Sequence, residues 1–315
     1  MLEIKVLDLD DEAAVGAYVD VWLTGHPTTN RQWAIESLWE PNPDFGEVVR
    51  LVARENGAGV GITSVGLLNG VNSHLAVGTI TVHPEHLRQG IGTALLEALL
   101  PELRARGGEA VEGWGVVKGS AGERWALASG FRLVAGRVLQ RLTIADAVAD
   151  QRVADGYRLE RWTGAAPEHL LVSLAATRNS IRDAPATGSA RQDPEWTPES
   201  VRADEAEARA AGAELRVVAA VEEASGLVVA QTDVPLHSGD TTDTFWGSTM
   251  VTPAHRGRGL GLAVKAEMVR WLRDERPELE RVDSGTDASN THMIRVNAQL
   301  GFFTNREVVV VSRAL

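Results

Sequence analysis

The sequence predicts an α/β protein made of two similar domains in tandem. One observation is a strand, glycine-rich loop and helix that recurs at a constant offset of 169 residues. Val82, Pro84, His86, Gly90, Gly92 and Ala94 stand in the first copy where Val251, Pro253, His255, Gly259, Gly261 and Ala263 stand in the second. The other is that each copy leads to a downstream Gly-Phe pair, Gly130-Phe131 and Gly301-Phe302. A repeat this long is a duplicated domain, because solenoid units recur every 20–50 residues. A length of 315 residues suits two domains of ordinary size.

The elements follow in order. Residues 3–9 alternate like a strand. Residues 10–22 open with acidic residues and then carry helical apolar spacing, and 29–39 form a second helix stopped by Pro41 and Pro43. Three antiparallel strands are expected at 47–54, 60–67 and 74–82 between Gly/Asn turns. A helix at 93–106 ends before Gly107-Gly108, followed by a strand at 110–117, a helix at 121–129 and closing strands at 132–144. The second half repeats the order: strand 157–161, helices 167–179 and 198–211, strands 215–222, 227–235 and 242–251. Helix 260–273, strand 281–284, helix 291–300 and strand 306–312 complete it. Residues 145–156 are polar and aperiodic and read as a linker. Residues 183–198 form a long loop rich in Pro, Thr, Ser and Gly, a length typical of lids or of disorder.

Composition narrows the function. A hydrophobic content of 44% supports two cores, and the absence of cysteine removes disulfides, thiolate metal sites and a cysteine nucleophile. No metal site is expected. The net charge is −12 and both halves are acidic, which argues against nucleic acid as a partner. No apolar run is long enough to span a membrane, and the opening Met1-Leu2-Glu3-Ile4 reads as a strand and no signal peptide. The expectation is a cytoplasmic protein without membrane partners, a monomer or homodimer. The acidic surface would steer a cationic amine toward it, or simply aid solubility.

The loops are the chemical feature. Glycine lets consecutive backbone N–H groups turn toward one point, and the following helix adds free N–H groups and the positive end of its dipole. Such a corner suits a phosphate or diphosphate. A Walker A loop would need Gly-Lys-Ser/Thr at its end, and a dinucleotide loop a third glycine where Leu95 and Val264 stand. What remains, Arg256-Gly257-Arg258-Gly259-Leu260-Gly261, resembles the Arg/Gln-x-x-Gly-x-Gly/Ala signature of the GNAT (Gcn5-related N-acetyltransferase) superfamily. The resemblance covers nearly the whole chain as two consecutive domains, 1–146 and 152–315.

The resemblance implies two tandem GNAT domains, each a mixed, mostly antiparallel central sheet flanked by helices. It implies a loop that holds the diphosphate of acetyl-CoA (coenzyme A), here Arg256, Gly257, Arg258, Gly259, Leu260 and Gly261. The equivalent first-copy residues are Arg88, Gln89, Gly90, Ile91 and Gly92. The strand before each loop would bulge and pair with the pantetheine arm, a role that falls on Thr249, Met250 and Val251 and on Thr81 and Val82. Backbone N–H groups there would also polarise the thioester. Asn290 matches a cofactor-binding asparagine of the family. In the first copy Leu87 replaces the leading Arg/Gln and only 118–120 follows the next strand, so the C-terminal domain is expected to be the catalytic one. The alternative that backbone groups suffice in both domains stays open.

Acid and base depart from the family. The usual Tyr position holds Ala126 and Asn297, and the usual Glu position holds Ala76 and Phe245. Asp243, on the same strand face as Phe245, is a candidate base, and His292 at the start of the last helix a candidate acid. The competing reading of Asp243 is an exposed carboxylate after a Gly239-Asp240 turn, and that of His292 a surface or helix-start histidine; His86 and His255 flank the loops. Trp22, Trp33 and Trp39, with Phe245 and Trp246, could wall an amine pocket or fill core. The reading is direct acetyl transfer to a primary amine of a small molecule. An antibiotic or peptide amine, a non-catalytic CoA sensor and a structural N-terminal pseudo-domain are its rivals.

Overall fold

The computed structural model describes residues 1–26, 29–40, 45–183, 188–237 and 242–315. The helix stop expected at Pro41 and Pro43 and the turn at Gly239-Asp240 lie outside them. Two compact units divide the chain, and each is discontinuous in sequence. Unit 1 comprises Met1–Ala135, Gly188–Gln192 and Val309–Leu315; unit 2 comprises Gly136–Thr187 and Asp193–Val308.

In unit 1, β1 (Leu2–Val6), β2 (Phe45–Glu55), β3 (Ala58–Leu68) and β4 (Leu75–Val82) pair antiparallel in that order. β5 (Ala110–Val117) joins β4 in parallel. α1 (Glu12–Gly25) starts at Asp11, whose carboxylate accepts from the Ala13 and Ala14 amides, and α2 (Arg31–Glu36) starts at Asn30 in the same way. The two lie on one sheet face, where Val15, Tyr18 and Val19 meet Val52 and Ile62. α3 (Ile91–Ala105) covers the other. Its Ile91, Leu95, Leu96, Leu99 and Leu103 recur at helical spacing and bury against Val49, Leu51, Val65 and Val111. Each such leucine contributes about 1.5–3 kcal/mol. α4 (Ala121–Ala128), capped by Ser120, and the first residues of β6 (Arg132–Thr143) complete the unit.

In unit 2, β7 (Tyr157–Thr163), β8 (Ala213–Glu222) and β9 (Val228–His237) pair antiparallel. α5 (Leu171–Arg178) and α6 (Pro198–Ala210) cover one face through Leu171, Leu174 and Val201 on Ala219, Val221 and Val228. β10 (Asp243–Phe245) and β11 (Thr249–Val251) come next, then α7 (Leu260–Glu275) on the opposite face, packed on Val218, Ala220, Ala230 and Val234. β12 (Arg281–Asp287) runs antiparallel to β6, α8 (Thr291–Gln299) follows, and β13 (Phe303–Ala314) closes the chain.

Mostly antiparallel strands flanked by helices build both units; in unit 2, β7, β8, β9 and β11 form one antiparallel sheet and β6, β12 and β10 belong to another. Most elements lie within a few residues of their expected places. Two features differ. The single strand expected at 242–251 is broken into β10 and β11. The segment expected to be a linker is fastened to α7: Arg273 donates to the carbonyls of Ile144 (2.8 Å) and Ala147 (2.9 Å), Arg270 donates to the carbonyl of Ala149, and Ala149 itself is buried. Its polarity reflects backbone groups bonded to arginine side chains. Among the described residues no helix is long and apolar enough to cross a membrane, and no His/Asp/Glu cluster could hold a metal.

Candidate functional site: a split strand above an amide loop

The break leaves β10 and β11 in two different hydrogen-bonded sheets, with a gap between them. β10 pairs in parallel with β12 over Asp243–Phe245, and the Trp246 N–H still donates to the Asp283 carbonyl (2.7 Å). β11 then pairs only with β9, in the register Thr249 with Thr232, Met250 with Gln231 and Val251 with Ala230. On that ladder the Asp233 N–H donates to Ser248 (3.1 Å) and the Thr252 N–H to Val229 (2.9 Å). Antiparallel pairs alternate, so the Met250 amide is engaged by β9 while those of Thr249 and Val251 point into the gap. Of the three residues expected to grip a cofactor arm, two turn their N–H groups into the gap.

Unit 1 repeats the geometry. β4 and β5 are paired only from Leu75–Ala110 to Val77–Glu112. The His83 N–H donates to Val60 (3.0 Å), which by the same alternation turns the Ile80 and Val82 amides outward and commits that of Thr81 to β3. A glycine marks the split in both: Gly78 and Gly247, again 169 apart. A Cβ on Gly78 would stand 2.0 Å from the Ser64 carbonyl oxygen, and one on Gly247 1.8 Å from an Asp233 carboxylate oxygen.

Below each split lies the loop. Gly257 (φ +76°) and Gly259 (φ +73°) are left-handed, as are Arg88 (φ +62°) and Gly90 (φ +81°). Alternating left-handed residues gather successive amides into an anion-binding nest, here continuous with the N-terminal turns of α7 and α3. Arg88 holds this conformation without being glycine, at about 1–2 kcal/mol. Leu260 and Ile91, buried, start the helices, and Cβ positions at Gly257 and Gly90 meet nothing within 4 Å, so the concavity stays open. A Cβ at Gly261 or Gly92 would reach ordinary contact with Val251 or Val82.

The arginines are positioned by the protein. Arg256 donates to the Val251 carbonyl (3.1 Å) and pairs with Asp183 (2.7 Å). Arg258 donates to the Tyr157 hydroxyl (2.7 Å), which also bonds His255 Nδ1 (2.9 Å). Arg88 stands in the first loop beside Gln89, after an exposed Leu87. Asn290 caps α8, its Oδ1 accepting from the Met293 amide (3.1 Å), so contact with a ligand would fall to its Nδ2. His292 is exposed in the first turn of α8. Asp243 is gripped by Arg281 (Nη2 to Oδ2, 2.6 Å) and bonded by Thr242, which holds its carboxyl below the usual range and makes it a weak proton acceptor. Trp246 is core: 1% exposed, with its Nε1–H on Thr232 (2.7 Å) and its ring against Phe302. Phe245, Trp33 and Trp39 are half exposed.

Sequence reasoning missed a polar cluster beside the split. Ala230 and Val234 face α7, so the alternate residues Gln231 and Asp233 face α5 and α6. Asp233, half-buried, accepts from the Ser248 N–H (3.2 Å); burial pushes its carboxyl up to about 6 against the pull of Arg178 and that amide. Arg178 is buried, paired with Asp204 (2.7 Å) and stacked 4.6 Å from the Trp196 ring. Gln231 Oε1 and Arg178 Nε are buried without a hydrogen-bond partner among the described residues. From the α7 side the fully buried Lys265 sets its ammonium 3.7 Å from the Trp246 ring centroid. Burial drives the lysine well below its ordinary pKa, with Asp233 opposing. At the matching positions unit 1 has Ile62, Ser64, Val77 and Leu96. The signal available in the sequence was that contrast between copies.

Unit 1 differs in one more respect. Residues 188–192 lie against the end of its β4–β5 ladder. The buried Glu112 accepts from Ser189 Oγ (2.7 Å), the Ala190 amide (2.8 Å) and Trp114 Nε1 (2.8 Å), while Asn72 bonds both backbone groups of Gln192.

The acetyltransferase (GNAT) family model matches residues 12–124 and 180–302, most of both halves. The chain belongs to the GNAT family. Its fold is similar to that of a tandem GNAT protein from the clavulanic acid biosynthesis pathway, with a TM-score of 0.76 at 22% identity, covering 100% of this chain and 98% of that one. It is also similar to a GCN5-related N-acetyltransferase from Sphaerobacter thermophilus, with a TM-score of 0.68 at 17% identity over 99% and 95% of the two chains. A putative acetyltransferase from Pyrococcus horikoshii gives 0.57 at 13% over 100% and 89%. No curated protein matches the sequence. This chain is a tandem GNAT protein, and the chemistry of the family is acyl transfer from an acyl-CoA.

Proposed function

We propose that unit 2 transfers acetyl from acetyl-CoA directly to the primary amine of a small molecule. The observation that carries this is the split at Phe245–Thr249, whose two outward amides stand above the nest of Gly257 and Gly259. In this reading the nest, the first turn of α7, Arg256 and Arg258 hold the diphosphate, and Asn290 steadies the pantetheine arm. The Thr249 and Val251 amides bind the arm and stabilise negative charge on the thioester oxygen. The thioester supplies an activated acyl carbon; no covalent attachment to the protein is needed. Asp243, fixed by Arg281, contributes charge more than proton transfer, and exposed His292 can hand a proton to the thiolate. Unit 1 holds the donor weakly or not at all: Leu87 replaces the leading cation and residues 188–192 cover the face beside its split.

The test is release of CoA thiol from acetyl-CoA across a panel of primary amines. Amine-dependent release is expected. Arg258→Ala should raise KM for acetyl-CoA about 10–100-fold with kcat little changed, the loss of one charged hydrogen bond used equally in ground and transition states. Saturable acetyl-CoA binding without release for any amine would make the protein a sensor.

A further inference from the structure

In unit 2 the nest and the polar cluster lie on opposite faces of the sheet. The nest opens at the N-terminus of α7, on one face. The other face, under α5 and α6, is where Gln231 and Asp233 stand. Asp233 pairs with Ser248, the residue before Thr249, so its carboxylate borders the point where an acyl group held by the Thr249 amide would lie. Gln231 Oε1 and Arg178 Nε, both in nearly fully buried residues, have no hydrogen-bond partner among the described residues. A protein seldom leaves such atoms unmatched: the Gln231 acceptor beside a half-buried carboxylate suits an ammonium donor, and the Arg178 N–H suits an acceptor atom elsewhere on the same ligand. Unit 1, with Ile62 and Ser64 there, lacks all of it.

We propose that Asp233 receives the proton of the acceptor's ammonium group on the α5–α6 face of the split, with Gln231 orienting the amine. The inference rests on the transfer reading above. The ammonium gives one proton to the Asp233 carboxylate. The freed nitrogen pair bonds to the acetyl carbon, the carbon–sulfur bond breaks with its electron pair on sulfur, His292 gives a proton to the thiolate, and the second nitrogen proton restores His292. The amide and CoA leave, and Asp233 returns its proton to solvent. Charges facing Asp233 are Arg178 on α5, Asp204 on α6 and Lys265 on α7. Burial, aided by Asp204, outweighs the lowering pull of Arg178, the Ser248 amide and Lys265 and leaves the carboxyl raised to about 6, a better base than the ion-paired Asp243.

Two probe nucleophiles distinguish this role. Butylamine is protonated at neutral pH and needs a base; hydroxylamine is already deprotonated and does not. Asp233→Asn preserves shape and an acceptor for the Ser248 amide. It should slow transfer to butylamine by at least about 100-fold and abolish the acid limb of the pH–rate profile near pH 6, while transfer to hydroxylamine changes less than about threefold. Acetyl-CoA binding should be unchanged. The thermal midpoint at pH 7.5 should hold or rise: a carboxyl with a raised pKa penalises folding above that pKa, and the amide removes the penalty. Equal slowing with both probes, or an unaltered rate with butylamine, would overturn the assignment. If the unsubstituted protein binds acetyl-CoA but acetylates neither probe, the transfer reading itself fails and Asp233 loses its role with it.

Discussion

Replacing Lys265 with methionine is expected to stabilise unit 2 by about 1–3 kcal/mol at neutral pH, the usual range when a buried charge yields to an apolar side chain. Lys265 is 1% exposed and its ammonium has the Trp246 and Phe302 rings, 3.7 and 5.3 Å from their centroids, as its facing surface. A cation over an indole recovers on the order of 2 kcal/mol of the hydration it gives up, and burial dominates its pKa, which lies well below 10.5. The sign follows. A lysine with a depressed folded-state pKa is protonated more in the unfolded chain, so the penalty is complete at low pH and fades as pH rises toward the ordinary lysine range. The methionine variant should therefore unfold on the order of 5 °C higher near pH 6, the difference narrowing toward about pH 10. Thermal melts at several pH values check it. A variant that melts lower at every pH would show that Lys265 is held by more than the contacts described.

The second large effect is at the glycines of the two splits, and the two copies should respond differently. In Gly78→Ala the new methyl would stand 2.0 Å from a carbonyl oxygen and 2.6 Å from the Val65 Cα. Both are backbone, so β3 and β4 must separate. A loss of about 3 kcal/mol is expected, at the upper end of overpacking effects, and should appear as a lowered melting midpoint of unit 1. In Gly247→Ala the nearest atom is the Asp233 carboxylate, at 1.8 Å, with the Asp233 carbonyl oxygen at 2.9 Å. The side chain can rotate away, so the stability loss should be smaller, but Asp233 leaves its place beside Ser248. Transfer by unit 2 should fall at least as far as in Asp233→Asn. If Gly247→Ala kept full transfer activity, the close approach at this split would be without functional consequence.

Much of this was legible in the sequence because glycine and helix-start chemistry are local. The nest needs left-handed residues, and Gly257, Gly259 and Gly90 advertise them; α3 and α7 announce themselves by the spacing of Leu95, Leu99 and Leu103 and of Val264 and Met268. The break in the strand was not legible from pattern. Phe245-Trp246-Gly247-Ser248-Thr249 has the composition of a continuous strand, and only Gly247 matched to Gly78 hints at a bulge. Asp233 was hidden for another reason. A polar residue on an alternating strand reads as solvent-facing, and only the placement of α5 and α6 over that face gives it a role. The attachment of residues 145–156 depends on Arg270 and Arg273, far away in sequence. So does the seating of residues 188–192 on Glu112, and no local signal encodes either.

The account stands on the nest of unit 2 gripping the diphosphate of the acyl donor, and calorimetric titration with acetyl-CoA tests that most directly. The expected result is one site per chain, weakened at least tenfold in Gly257→Val, whose β-branched side chain opposes the left-handed conformation, and unchanged in Arg88→Ala. No binding, or binding indifferent to Gly257 and abolished at Arg88, would contradict it.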